Sequence, residues 1–182
     1  SRRGRLMAQP SPTLFVLIIA LVALGPLSTD LYLPALPALV ADLETDVAHG
    51  QLTLTAYMIG FAFGQLVYGP LSDRFGRKPV ILSGLALYAA ASLACVWTEN
   101  ITMLLAARVV QAVGACVGPV LGRTIVRDVY GPVDATRMLA HVGSAMSIAL
   151  MVAPLIGGVI TSHFAWRGNF VALVGYAAVT LV

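Results

Sequence analysis

Five blocks of about 20 mostly apolar residues constrain this chain more than any other feature, because runs of that length match the thickness of a bilayer core. They extend from Leu14 to Leu36, Leu52 to Leu71, Pro79 to Val96, Ile101 to Val120 and Leu139 to Ile160. Their apolar residues follow neither the stripe of an amphipathic helix nor the alternation of a half-buried strand, so each block reads as a membrane span. A sixth begins near Phe170 and reaches Val182 after 13 residues, too few to cross, so the chain is expected to stop inside a helix. Charged residues make up only 10% of the 182, against roughly 25% in an average soluble domain. A water-soluble fold of this size would be unable to cover itself. The expectation is an all-α membrane protein, with residues 1–13 as a cytoplasmic lead segment and 14–182 as one bundle with spans at 14–36, 52–71, 79–96, 101–120, 139–160 and an incomplete 170–182.

A net charge of +3 raises the question of nucleic acid, and the placement of the charges answers it. With the amino terminus in the cytoplasm, the inner segments hold Arg2, Arg3, Arg5, Arg74, Arg77, Lys78, Arg123, Arg127 and Arg137, which is 9 of the 11 basic residues. The outer loops hold Arg167 with Asp42, Glu44, Asp46 and Glu99. Short loops obey the positive-inside rule, so this orientation is predicted and no nucleic-acid partner is. Reading Ser1 to Leu6 as lying upstream of a natural start at Met7 leaves the orientation unchanged. The apolar first block is not expected to be a cleaved leader, since further spans follow it and no small-x-small site opens a polar domain.

Several residue types receive ordinary roles. Cys95 and Cys116 lie in separate spans without metal or disulfide spacing and read as packing residues. His49, His141 and His163 fall near span ends. Trp97 and Trp166 sit at outer ends, where amphipathic rings favour the interface. Asn100 is placed to cap the fourth span, and Arg123 to Met138 reads as the longest cytoplasmic loop, carrying Asp128 and Asp134. Ala56, Gly60 and Gly64, and again Gly114, Gly118 and Gly122, recur every four residues and predict close helix packing.

Only two formal charges fall inside complete spans, Asp30 in the first and Arg108 in the fourth. Each costs at least about 2.5 kcal/mol at a bilayer centre, so each is expected to face a cavity or a partner. At 1.5 Å per residue both lie roughly 9 to 11 Å below the outer surface, which lets them meet in one layer. Proline adds to the case: Pro34 lacks the amide that would bond the Asp30 carbonyl, and Pro26 and Pro37 free Val22 and Leu33 in the same way. The first helix is therefore expected to loosen around its charge. Gln111, one turn beyond Arg108, is placed to orient the guanidinium or to bond a substrate.

Between the second and third spans stands GPLSDRFGRKP, from Gly69 to Pro79. Gly76 permits a sharp reversal, Pro79 suits a helix start, and Asp73 among Arg74, Arg77 and Lys78 suggests a basic hairpin with an internal ion pair. The segment resembles the cytoplasmic hairpin motif of the major facilitator superfamily, G-x-L-x-D-R-x-G-R-K, at every fixed position. The segments STDLYLPALPAL, RVVQAVGA, RDVY and WRGNF are further similar to the Bcr/CflA subfamily of bicyclomycin and chloramphenicol resistance antiporters. APLIGG in the fifth span resembles the antiporter motif G-P-x-x-G-G, with Ala153 in place of its first glycine before Pro154, Gly157 and Gly158; Ala112 likewise replaces a glycine after Gln111.

The resemblance implies a twelve-helix fold in two six-helix halves with the substrate site between them, this chain being the amino-terminal half. It implies a bacterial inner-membrane exporter of a drug-like molecule in exchange for protons, partnered by a carboxy-terminal half and by lipid. It also implies a conformational-switch role for Gly69, Asp73, Arg74, Gly76, Arg77, Lys78 and Asp128, with Arg77 pairing to Asp73 or Asp128. Apart from the resemblance, the cost of the two buried charges suggests that Asp30 carries the exchanged proton and Arg108 controls its affinity. Tyr32, Tyr57, Phe61, Gln111, Met146 and Met151 are candidate cavity surfaces. A non-transporting truncated half or membrane scaffold is the competing reading, and a sugar-type symporter a weaker third. No G-x-x-x-x-G-K-[ST] loop occurs, so neither ATP nor any other cofactor, metal or catalytic group is expected.

Overall fold

Proline decides where the first helix breaks. In the computed structural model, which describes residues 12–181, α1 spans Pro12–Asp30 with Pro26 inside it, a 3-10 turn occupies Leu33–Ala35, and α2 resumes at Leu36–Asp42. The α-helix thus ends at the residue whose carbonyl Pro34 is unable to satisfy. The expected loosening is present, and the first span continues past Leu36 to Asp42. Arg2, Arg3, Arg5, Met7 and Val182 lie outside the described residues, as does most of the 1–13 segment.

The next two helices form a hairpin around one residue. Helix α3 spans Val47–Phe75 and α4 spans Arg77–Val96. Gly76 alone makes the reversal, with φ +83, a conformation that side chains other than glycine rarely adopt. Pro79 sits in the first turn of α4, where its missing amide would have had no partner. Asp46 caps α3 by accepting from the amide of His49 at 2.7 Å, and this bond holds its carboxyl below the usual range. Asn100 caps the following helix as expected, accepting from the Met103 amide at 2.9 Å.

Helix α5 spans Ile101–Phe164, so Arg123 to Met138 is helical and not the expected loop. The helix nevertheless folds back on itself. Gly118 and Gly157 would be roughly 58 Å apart on a straight helix at 1.5 Å per residue. Both instead lie against the first span, where an added Cβ would collide with the carbonyls of Leu21 in α1 and of Leu31 just after it. Val126 and Val142 share one core cluster with Ile18 and Val22 of α1. The two limbs, Ile101–Tyr130 and Asp134–Phe164, are therefore the fourth and fifth spans, antiparallel to each other along α1. Helix α6, Arg167–Leu181, completes the described chain.

The first limb of α5 is the most buried of the five spans and forms the axis of the bundle. Its glycines and those opposite explain why. Gly60 of α3 abuts the Val109 backbone, Gly64 abuts Cys116, and Gly114 abuts the Tyr88 backbone of α4. Removing side chains at these crossings lets three helices approach one, which is how dispersion energy is gained where lipid supplies no hydrophobic drive. Cys95 and Cys116 are free and buried, as packing residues should be. The outer surface carries Phe63, Leu66, Leu155 and Val179, each at least 60% exposed, a surface suited to lipid or another apolar partner and not to water.

Trp97 is exposed as an interfacial ring should be, but Trp166 is 1% exposed. Its indole nitrogen donates to Asp42 at 2.9 Å, so it is held inside by a polar partner instead of resting at the interface.

Candidate functional site

Arg108 is fully buried at the centre of the bundle, a position that requires compensation for a charge withdrawn from water. The compensation is mostly aromatic. The guanidinium carbon lies 4.3 Å from the Tyr57 ring centroid, 4.7 Å from that of Tyr32 and 5.8 Å from that of Phe170. Desolvated cation–π contacts contribute about 2 kcal/mol each, comparable with the several kcal/mol lost on burial. Its Nη1 donates to Gln111 Oε1 at 2.6 Å and to the Ser28 carbonyl at 3.3 Å. Nε and Nη2 have no hydrogen-bond partner among the described residues.

The surrounding polar groups form a chain across three helices. Gln111 Nε2 donates to Ser92 Oγ at 2.8 Å, which fixes the amide so that its oxygen faces Arg108. Ser28 Oγ donates to the Leu24 carbonyl at 2.6 Å and shares a hydrogen bond with Tyr88 at 2.6 Å. Tyr32 is held by Thr53 at 2.8 Å, and the Tyr57 hydroxyl donates to the Gly25 carbonyl at 3.1 Å. The expected role of Gln111 as the group that orients the guanidinium agrees with this geometry.

Asp30 and Arg108 do not meet. No ion pair joins them, because the guanidinium turns towards Gln111 and the aromatic rings while Asp30, half-buried at the end of α1, faces the other way. Asp30 lines a 220 Å³ cavity with Gly25, Pro26, Thr29, Tyr57, Met58 and Phe61. Equal depth in the membrane was a necessary condition for contact and not a sufficient one. Tyr57 is the shared wall, touching Arg108 on one side and the Asp30 cavity on the other.

The remaining cavity candidates separate. Phe61 stacks on Tyr57 with centroids 6.2 Å apart and borders the Asp30 cavity. Tyr32 is fully buried against Arg108 and Phe170, so it forms the box around the charge and not an open surface. Met146 packs beside the cluster of Ile18, Val126 and Val142, away from both. Met151 is 72% exposed on the outer face of the second limb of α5.

Of the two partners expected for Arg77, Asp73 within the hairpin and Asp128 beyond it, the structure shows Asp128. Arg77 reaches out of the hairpin to pair with Asp128 of α5, whereas Asp73 is exposed and makes no ion pair among the described residues. Arg74 lies over the Phe75 ring at 5.2 Å, and Lys78 is exposed. The space beside Gly69 is open. In the fifth span, Gly157 seats the Leu31 carbonyl immediately after Asp30, Pro154 is half-buried, and Gly158 faces open space. One motif glycine is thus explained by close helix approach and the other is not.

Sequence reasoning missed Ser28, Tyr88, Ser92 and Phe170. All are uncharged, and their spans are apolar enough to hide them. The signal that reaches them is spacing: Tyr88 and Ser92 are one turn apart on α4, and Ser28 is two residues before Asp30.

Residues 15–182 match the family model described as Major Facilitator Superfamily. The chain is 36% identical to Multidrug resistance protein D of Escherichia coli strain K12, an alignment covering 91% of this chain and 42% of that protein. It is 34% identical to a Bicyclomycin resistance protein homolog of Haemophilus influenzae, over 96% of this chain and 44% of that protein. It is 38% identical to a Chloramphenicol resistance protein of Pseudomonas aeruginosa, over 82% and 36%. The chain spans about two fifths of the length of these curated relatives.

Proposed function

The chain belongs to the Major Facilitator Superfamily, a family of transporters and not enzymes, and from that premise we propose that it is the amino-terminal part of a proton-coupled exporter of drug-like molecules. The carrying observation is the arrangement at the kink of α1. A titratable carboxyl, Asp30, opens onto a cavity, and a permanent cation, Arg108, is sealed behind the same tyrosine. Asp30 is the proton carrier in this reading. It loads a proton when the cavity is hydrated from outside and releases it when substrate arrives from inside. Arg108 has no accessible neutral form and acts as a fixed countercharge across Tyr57. The proton gradient supplies the drive, with about 2.3 kcal/mol per charge for each 100 mV of membrane potential. The names of the resistance proteins above support a drug-like substrate. The deciding experiment is resistance and uptake with the full-length protein, with and without a proton uncoupler; accumulation of substrate unaffected by the uncoupler would exclude proton coupling.

The protein sits in the bacterial inner membrane with its amino terminus, Gly76 and the Tyr130 to Asp134 stretch of α5 cytoplasmic, as the basic residues favour. Thr98 is buried, so the adjoining exposed Glu99 is the better probe of the outer side. A membrane-impermeant thiol reagent on intact cells should label Glu44→Cys and Glu99→Cys but not Gly76→Cys. The opposite pattern would invert the topology.

The Arg77 to Asp128 pair supports a switching role for the hairpin, since it ties the start of α4 to α5 at the inner end. Both side chains are more than a third exposed, so as a static contact it is worth at most about 1 kcal/mol. Arg77→Ala should therefore leave thermal stability nearly unchanged while slowing turnover several-fold at unchanged substrate affinity. Transport kinetics equal to the parent's would reduce the pair to surface decoration. Asp73, exposed and free of this pair, is left to engage the carboxy-terminal half.

A further inference from the structure

At the end of the bundle opposite the Arg77 to Asp128 pair, three chain segments converge on Arg167. Its Nη1 pairs with Asp42 at the end of α2. Its Nε donates to the Val96 carbonyl at 3.1 Å and its Nη2 to the Thr98 carbonyl at 3.0 Å, both at the end of α4. The guanidinium also lies 4.3 Å over the Trp166 ring, whose indole nitrogen donates to the same Asp42 oxygen. A planar fork with several fixed donors can satisfy this set at once, and an ammonium cannot. The residue before, Ala165, has φ +58 and ψ −179, a region nearly confined to glycine and held only where surrounding contacts impose it.

The cluster is joined to the buried charge by rings. Trp166 meets Phe170 edge-on at 5.9 Å, Phe170 lies 5.4 Å from Tyr32, and both Phe170 and Tyr32 flank Arg108. Phe170 belongs to α6, so one wall of the Arg108 box is carried by the helix that Arg167 anchors. Cys95, fully buried, belongs to the same core as Trp166, Phe170 and Tyr32. Cys116 lies in a separate core with Tyr68 and Val80.

We propose that Asp42, Trp166 and Arg167 form a latch that closes this end of the helix bundle over Arg108, with Arg167 as its central positioning residue. The latch holds α2, α4 and α6 together; when it opens, α6 carries Phe170 off the Arg108 box and water enters beside Cys95. The proposal rests on the transporter reading only in placing the latch on the outer side of the membrane.

The two native cysteines make the test independent of transport. In membranes containing the full-length protein, alkylation of Cys95 and Cys116 by N-ethylmaleimide is followed by peptide mass spectrometry. Arg167→Ala and Asp42→Ala should each accelerate Cys95 labelling about tenfold and leave Cys116 unchanged, since a local opening frees one cooperative unit and not the whole fold. Arg167→Lys, which keeps the charge but loses the fork, should fall between these and the parent, and Asp42→Asn, which keeps an acceptor, should give a smaller effect than Asp42→Ala. Equal acceleration of both cysteines in all four variants, or no acceleration of Cys95, would overturn the latch. Failure of uncoupler-sensitive export with selective Cys95 labelling intact would instead count against the transport reading alone.

Discussion

Asp30→Asn in the full-length protein is expected to abolish proton-coupled export, with substrate binding retained. Asn preserves the shape and hydrogen-bonding capacity of the side chain at the end of α1 but has no proton to exchange, so the loss falls on coupling and not on the fold. Asp30 is half-buried and lines the 220 Å³ cavity, so its replacement disturbs little packing and thermal stability should change by less than about 1 kcal/mol. Asp30→Glu keeps the carboxyl and displaces it by one methylene, and partial activity is expected. The direct measurement is proton release when substrate is added to detergent-purified protein. Release should be present in the parent, reduced in the Glu variant and lost in the Asn variant. Undiminished release from Asp30→Asn would assign the proton to another group.

Arg108 should show a different separation of stability from activity. Its aromatic box and its bond to Gln111 are built for a flat, delocalised cation. Arg108→Lys places a compact ammonium there, losing the stacking and the orientation, for a loss of about 3 kcal/mol or roughly a hundredfold in transport rate. Arg108→Leu removes the buried charge altogether. The desolvation cost disappears with the charge while the buried Gln111 Oε1 loses its donor, so this variant should remain folded, within about 3 kcal/mol of the parent's stability, while transporting nothing. A stable Leu variant without transport would show that the charge serves function. A Leu variant that unfolds, or a Lys variant with the parent's rate, would refute this account.

The parts of the structure legible in the sequence were those governed by local chemistry. The apolar blocks coincide with helices long and apolar enough to cross a membrane, and Asn100 marks a cap, Gly76 the hairpin and Pro34 the break after Asp30. These effects act within one or two turns, so sequence spacing contains them. Span ends were less legible, because helices continue through polar residues when tertiary contacts satisfy them, as at Asp42 and between Arg123 and Met138. Partners across helices were least legible. Asp30 and Arg108 were expected at similar depth, yet Arg108 bonds Gln111 and the Ser28 carbonyl while Asp30 lines a separate cavity, and nothing in one sequence fixes how each helix is turned about its axis. Trp166 was misread for the same reason: a tryptophan at a span end suits the interface unless a carboxylate on a distant helix, here Asp42, captures it.

The two glycine seats on α5 act on α1 as a pair of bearings act on a shaft. Leu21 rests at Gly118 and Leu31 at Gly157, and since both seats belong to one helix that folds back on itself, the spacing between them is fixed by that helix and not by α1. A shaft held at two points does not slide; it turns or flexes between its supports. The length between the bearings contains Gly25, Pro26 and Asp30, the stretch where the helix is weakest. Any flexure of this helix would thereby fall on the stretch that ends at its one carboxyl, Asp30.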